Sequence, residues 1–257
     1  MAKYVGLDWA SKGWFGVVLA DDGSWATELF PSIWSVWKYH SDASRILVDI
    51  PIGPPSEEKR VCDVQAKEKL KLAHRGASVF YAPVRNAVYE QNLDEAKATN
   101  ESEADFSIQN QAWSIVQRIR EVDEFLDMYP GARDRVQETH PEVCFYALNG
   151  RNAPAESKKT AEGRRRRRAL LAEEHPDAMA IYEASVDRYT TPGYAPMVSG
   201  RDDILDALVA AVTARCSPDE RLTLPEAPPT DERGLPMQIV YPSDTEQTRL
   251  STLESHD

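Results

Sequence analysis

A carboxylate at the end of an apolar strand is the feature that most restricts this chain. Tyr4 Val5 Gly6 Leu7 is an apolar run that ends in Asp8, and a second apolar run, Trp14 Phe15 Gly16 Val17 Val18 Leu19, follows as the other arm of a hairpin. An unpaired carboxylate is costly in such surroundings. Asp8 therefore needs a partner at the strand's end, and a metal ion is the most plausible one. Arg45 Ile46 Leu47 Val48 repeats the arrangement: it ends in Asp49, and Pro51 and Gly53 then terminate the strand. Neighbouring parallel strands of an open α/β sheet finish at one edge, and ligands bind in the crevice outside their carboxyl ends. Two strands that each deliver an aspartate point to one shared site.

The elements around these strands give an α/β domain. Asp21 Asp22 Gly23 turns the chain into a third strand over about 25–30, because Asp-Gly is a strong hairpin signal. Pro31 starts a helix bearing Ile33, Trp34, Val36 and Trp37. A hairpin followed by a crossover to a parallel strand opens a mixed sheet. Residues 54–105 read as an insertion beside the site, with one helix over about 60–72 and a loop or edge strand over 78–83, where Pro83 interrupts. Ile115, Ile119, Val122 and Phe125 form the core-facing stripe of a helix over about 108–126.

Residues 136–140 are a short strand with Glu138, His140 and Glu142 clustered at its end. Helices are expected over 157–174 and 176–189. A last helix opens at Arg201 Asp202 Asp203, with Ile204, Leu205, Leu208, Val209 and Val212 on one buried face. Asp203 and Asp206 lie about one turn apart, so one stripe of this helix can carry carboxylates toward the site. Beyond Ser217 a loop leads to a final strand over 237–241, and residues 243–257 are polar and expected to be disordered. A single domain over 1–242 results.

Composition narrows the function. At 257 residues with 42% hydrophobic content the chain can bury a sizeable core. No stretch approaches the roughly 18 apolar residues of a membrane span, and the N-terminus lacks a signal peptide pattern. A soluble cytoplasmic protein with no membrane partner is expected. Cys62, Cys144 and Cys216 are far apart and outside any CxxC pair, which indicates neither a disulfide framework nor a zinc site. The net charge of -12 repels phosphates at long range, so nucleic-acid binding has to be local. Arginine supplies 20 of the 30 basic residues, and a large acidic excess with few lysines suits a halophilic protein. High salt screens the repulsion, the Debye length being about 3 Å at 1 M. Full stability and solubility in dilute buffer, measured in a melting series, would count against that expectation.

In chain order the motifs are Gly6 Leu7 Asp8 Trp9 Ala10, Val48 Asp49 Ile50 Pro51 Ile52 Gly53, Arg60 Val61 Cys62 Asp63, and Ser78 Val79 Phe80 with Pro83 and Arg85. They continue with His140 Pro141 Glu142, Ser157 Lys158 Lys159 Thr160 with Gly163, and Asp202 Asp203 Ile204 Leu205 Asp206 Ala207. Each is weak alone, but their order over nearly the whole chain resembles the DUF429 family of predicted ribonuclease H-like nucleases. The resemblance implies a ribonuclease H-like α/β fold, a mixed five-stranded sheet flanked by helices. It also implies a metal-dependent nuclease or phosphodiesterase, whose two metals, about 3.5–4 Å apart, need hard oxygen ligands. Asp8 would bridge two Mg²⁺ or Mn²⁺ ions, Asp49 and Glu142 would hold one each, and Asp203 would complete the set. Lys158, Lys159, Arg85 and Arg60 would bind the substrate phosphate, so the expected partner is a nucleic acid held by local basic patches.

Plainer roles fit the same residues. An aspartate at a strand's end is often a turn former, and capping accounts for either Asp202 or Asp203. Glu138 competes with Glu142 as the third ligand. Arg164 to Arg168 is a solvated face paired with Glu162, Glu173 and Glu174, or else a nucleic-acid contact. Two other function classes remain. A non-catalytic module would keep the fold and grip a partner with the basic helix. An actin-like ATPase would need a glycine-rich phosphate loop, yet Asp8 is followed by Trp9, Ala10 and Ser11.

Overall fold

The computed structural model describes residues 1–71, 76–195, 197–198 and 200–243. A five-stranded mixed sheet in the order β3-β2-β1-β4-β5 lies at its centre, flanked by helices. β1 (Lys3–Ala10), β2 (Gly13–Ala20) and β3 (Trp25–Phe30) form an antiparallel meander. β4 (Arg45–Val48) runs parallel to β1, and β5 (Val136–Glu138) parallel to β4.

The apolar run suggests that β1 ends at Leu7, whereas the strand continues to Ala10, with Asp8, Trp9 and Ala10 opposite Phe15, Trp14 and Gly13 of β2. The parallel ladder to β4 does stop at Leu7, opposite Val48, and the Asp49 N–H donates to the Leu7 carbonyl at 3.0 Å. Asp8 and Asp49 are thus each the first residue past that ladder. Hairpin pairing fixes the first of them, and the chain turns away after the second.

Side chains alternate across a strand. Val5, Leu7, Ile46 and Val48 face one core, with Ile33 and Val36 of α1 (Ile33–His40) and Ile119, Val122 and Phe125 of α5 (Asn110–Met128). Gly6, Asp8, Leu47 and Asp49 face the other side, where α9 (Arg201–Arg215) lies; Leu47 packs with Ala210 and Ala214. Every residue of α9 from Ile204 to Ala214 is buried, so the helix is covered all round rather than along the one stripe its sequence suggests. α6 (Pro141–Leu148), α7 (Ala161–Glu174) and α8 (Ala178–Tyr189) supply the outer cover. A helix apolar on all sides belongs in a core.

Close contact between α9 and the sheet depends on Gly6. A Cβ there would lie 2.1 Å from the Ala211 nitrogen and 2.3 Å from the Ala207 carbonyl oxygen. The glycine and the small residues of α9 let backbone meet backbone.

Between β4 and α5 lie α2 (Val61–Lys71), α3 (Arg85–Val88) and α4 (Leu93–Ala104). The weak apolar periodicity of α4 hides it in the sequence. Its start is nonetheless defined by Asn92, whose side chain accepts the Glu95 N–H at 3.0 Å, with Asp94 and Glu95 in the first turn. Residues 78–83 form no strand; a short 3-10 turn over Gly76–Ser78 leads into extended loop. The expected last strand is β7 (Ile239–Pro242), which pairs antiparallel with β6 (Arg221–Leu224) as a separate two-stranded sheet. A bridge from Thr139 to Val240 ties that sheet to the end of β5. The expected tail, from residue 244 on, lies outside the described residues. No helix among the described residues is long and apolar enough to cross a membrane.

Candidate metal centre

Asp8 from β1, Asp49 after β4 and Asp206 from α9 converge beyond the parallel ladder. Each offers one carboxylate oxygen, and the three oxygens lie within 4.8 Å of one another. Asp206 directly precedes the turn of α9, Ala207 to Ala211, that is seated on Gly6, and Asp8 is two residues further along the same face of β1.

Few donors serve these carboxylates. Among the described residues no hydrogen bond reaches the side chain of Asp8 or Asp49. Asp206 accepts from the Lys158 ammonium through Oδ2, while its Oδ1 is buried without a partner. Asp206 is only 2% exposed, so water does not compensate.

The electrostatics follow from this shortage. Burial, followed by the charges of Asp206, Asp49 and Asp203, holds the Asp8 carboxyl well above the usual carboxylate range. Burial also raises Asp49, against the pull of His140 and Lys158. It pushes Asp206 up to about 7, opposed by Lys158 and reinforced by Asp49 and Glu142. For Lys158, burial acts to lower the value, but Asp206, Asp8 and Asp49 outweigh it and raise the ammonium above its ordinary value. Hard, under-coordinated oxygens of this kind suit a hard divalent cation.

A cavity of about 170 Å³ opens onto Asp8 and Asp49, walled by Trp9, Ile50, Phe80 and Ile115. Lys158 and His140 also line it.

The family described as "Protein of unknown function (DUF429)" matches residues 6–230. The chain belongs to the DUF429 family. Neither the curated proteins nor the solved structures contain a match. The DUF429 span takes in Gly6, the three aspartates and Lys158.

The other residues marked in this DUF429 sequence have different surroundings. Glu142 is not in the cluster: both its oxygens accept from Arg167 Nη2, at 2.8 Å each, in a buried pair. Glu138, the competing candidate, accepts from the Ile52 N–H at 2.7 Å and from Arg60. Burial pushes its carboxyl up to about 7 against the pull of Arg60. Asp203 sits in the first turn of α9 and accepts the Gly200 N–H at 3.0 Å, the capping role open to it from the sequence. Its charge reaches Asp8, but the α9 carboxylate within ligand distance is Asp206.

Of the four basic residues expected to meet substrate, only Lys158 touches the cluster. Arg60 is buried between Asp63 and Glu138, and Arg85 between Asp123 and Asp231. Lys159 is exposed on the loop beside Lys158. His140 directs Nε2 toward the Ser78 carbonyl at 3.4 Å, and its Nδ1 is buried without a partner. The basic run of α7 has internal partners throughout: Arg164 with the Lys159 carbonyl, Arg165 with Glu162, Arg166 with Asn149, Arg167 with Glu142 and Arg168 with Glu183. Cys62 and Cys144 are buried and Cys216 half-buried, all three free thiols.

Asp206 had a legible signal. A carboxylate flanked by Ile204, Leu205, Ala207 and Leu208 is as costly as Asp8 on its strand.

Proposed function

We propose that this protein is a metal-dependent phosphodiesterase or nuclease of ribonuclease H-like fold, with Asp8, Asp49 and Asp206 as the ligands of Mg²⁺ or Mn²⁺. The observation that carries this is the unpartnered Oδ1 of Asp206, 2% exposed and within a cluster of three carboxylate oxygens. A buried acceptor left open costs about 1–3 kcal/mol, so its retention marks a group that something else satisfies. The sheet order, with a hairpin, a parallel crossover and a late helix bringing the last carboxylate, supports the ribonuclease H-like assignment.

A divalent cation at this place supplies Lewis-acid polarisation of a phosphoryl oxygen and neutralises developing charge. The chain's own part is to hold three oxygens in register from two strand ends and a helix. Lys158 brings a positive charge to Asp206 and to the cavity it lines, and Lys159 adds one at the surface beside it. Trp9, Phe80 and Ile115 give the cavity an apolar wall that limits water at the carboxylates.

The other function classes have less support. An ATPase of the actin kind needs a glycine-lined phosphate loop after Asp8, but β1 passes into β2 through the two residues Ser11 and Lys12. A binding module that grips nucleic acid with α7 needs free arginines, and those of α7 are engaged within the chain.

The test is a cleavage screen over single- and double-stranded DNA, RNA and small phosphodiesters in Mn²⁺, comparing the native chain with Asp8→Asn and Asp206→Asn. Cleavage of one substrate class by the native protein, lost in both variants and in EDTA, is the expected result. Equal activity in all three proteins would sink the assignment.

A further inference from the structure

We propose that the centre takes a single divalent cation and that the Lys158 ammonium is its resident second cation, standing where a second metal ion would have to bind. This rests on the metal-dependent reading of the site and concerns how many ions that site holds.

Geometry comes first. The Lys158 ammonium contacts Asp206 Oδ2, which leaves Oδ1 as the oxygen that Asp206 can turn to a metal. It also lies close enough to Asp8 and Asp49 to influence both. A second ion drawing on Asp206 would compete with the ammonium for Oδ2.

The supply of ligands points the same way. Among the described residues the carboxylates within ligand reach of one another are the three aspartates alone. The next carboxylate in line, Glu142, has both oxygens on Arg167, and freeing it would strand a guanidinium that is fully buried. Charge gives a third reason. Three carboxylates against one ammonium leave two negative charges, which one divalent cation cancels. A second divalent ion beside the ammonium would leave the buried centre with two uncompensated positive charges, and one that displaced the ammonium would still leave one, at a desolvation cost.

Lys158 is also held in place, which a passing surface lysine would not be. The backbone just before it, at Glu156 and Ser157, lies on Gly163, where a Cβ would come 2.0 Å from the Ser157 carbonyl oxygen. Arg167 Nη1 donates to the Glu156 carbonyl at 3.0 Å, and Arg164 Nη1 to the Lys159 carbonyl at 2.6 Å. Thr160 caps α7 by accepting the Gly163 N–H at 3.1 Å. The Glu142–Arg167 pair thus acts on the centre at one remove, by clamping the loop that presents Lys158. The lysine side chain keeps 32% of its exposure, which suits a group at the cavity's rim with its charged end turned inward.

The experiment measures metal stoichiometry on the full chain, with Mn²⁺ as the probe, by calorimetry and by electron paramagnetic resonance. The native protein should bind one Mn²⁺ and give the six-line spectrum of an isolated ion. Lys158→Gln should take up a second ion or bind the first at least about tenfold more tightly, since a unit positive charge has left contact distance. Lys158→Arg, which keeps the charge, should stay at one ion. Two ions in the native protein, or an exchange-broadened spectrum, overturn the inference without touching the metal assignment. Lys158→Gln with native stoichiometry and affinity overturns it as well. Absence of any Mn²⁺ binding by the native chain instead removes the metal assignment on which it rests. The native spectrum alone decides the ion count should Lys158→Gln fail to fold.

Discussion

Gly6→Ala tests whether the approach of α9 to β1 builds the centre. The added Cβ would lie 2.1 Å from the Ala211 nitrogen, 2.3 Å from the Ala207 oxygen and 2.7 Å from the Ala210 carbonyl carbon. All three are backbone atoms, so no rotamer change relieves the clash. Non-bonded heavy atoms settle at about 3.5–4.0 Å, and α9 must therefore retreat by roughly 1 Å or more. Overpacking of this sort costs about 1–3 kcal/mol, and contact with rigid backbone puts Gly6 at the upper end. A loss of about 3 kcal/mol from a total of roughly 5–15 kcal/mol lowers Tm by roughly 6–12 °C in a chain of this size. Asp206 moves with the displaced turn, so Mn²⁺ affinity falls together with stability. Thermal melting and Mn²⁺ calorimetry on the same samples read the two effects. Gly131→Ala is the control, because nothing lies within 4 Å of its added Cβ and its stability should hold or rise slightly. A Gly6→Ala protein with native Tm and native Mn²⁺ affinity would refute the role given to this contact.

Other outcomes follow from the same contacts. Glu142→Ala strands the buried Arg167 and should cost about 3–5 kcal/mol in urea denaturation; a loss under 1 kcal/mol would mean that the pair is not buried as described. The Asp206 carboxyl is raised from 3.8 to about 7, so the metal-free folded chain keeps a proton that the unfolded chain releases. Stability should therefore be highest below about pH 4 as far as this group is concerned, and fall as pH rises from there through about 7. Asp8 and Asp49 shift in the same direction, and saturating Mg²⁺ should abolish the fall. Urea midpoints taken from pH 4 to 8 in EDTA check this, and stability rising with pH there would contradict it. Burial raises the Cys144 thiol to about 11 and that of Cys216 to about 12, and lifts Cys62 as well. None of the three should react with a disulfide reagent at pH 8 at the rate of a free thiol until the chain is unfolded.

Much of the architecture was legible because it rests on local pattern. The apolar runs of β1 and β4, the Asp-Gly turn before β3 and the stripe on α5 each reflect burial on a face, which period-2 or period-3.6 spacing records directly. Asp8 and Asp49 stood out for the same reason, as charges placed where the pattern wants an apolar residue. The α9 carboxylate was harder. Asp203 and Asp206 are one turn apart, and only contact at Gly6, some 200 residues away in the chain, determines which of them reaches the strands. Glu142 looked like a ligand because it follows a strand end, but its partner Arg167 lies 25 residues on, inside a run that reads as solvated surface. α4 and β6 left weak marks, the first because it has little apolar periodicity, the second because its pairing strand β7 arrives only after a long loop.

Buried charge alone does not single out the functional site in this protein. Arg60 with Asp63 and Glu138, Arg85 with Asp123 and Asp231, and Arg167 with Glu142 are all buried ionic groups. Their carboxylates are served by donors: Glu138 also takes the Ile52 N–H, Asp63 the Ala82 N–H, and Asp123 the Tyr89 hydroxyl. Those clusters find donors for their carboxylates within the chain and hold loops together. At Asp8, Asp49 and Asp206 the donor supply among the described residues stops at one ammonium, although arginine is twice as common as lysine in this chain. An arginine fork would have covered two oxygens at once, as Arg60 does for Glu138. Lysine, a compact point charge, covers one and leaves its neighbours open. The choice of Lys158 over an arginine is therefore consistent with a site that balances part of its charge permanently and keeps the remainder for a cation from solution.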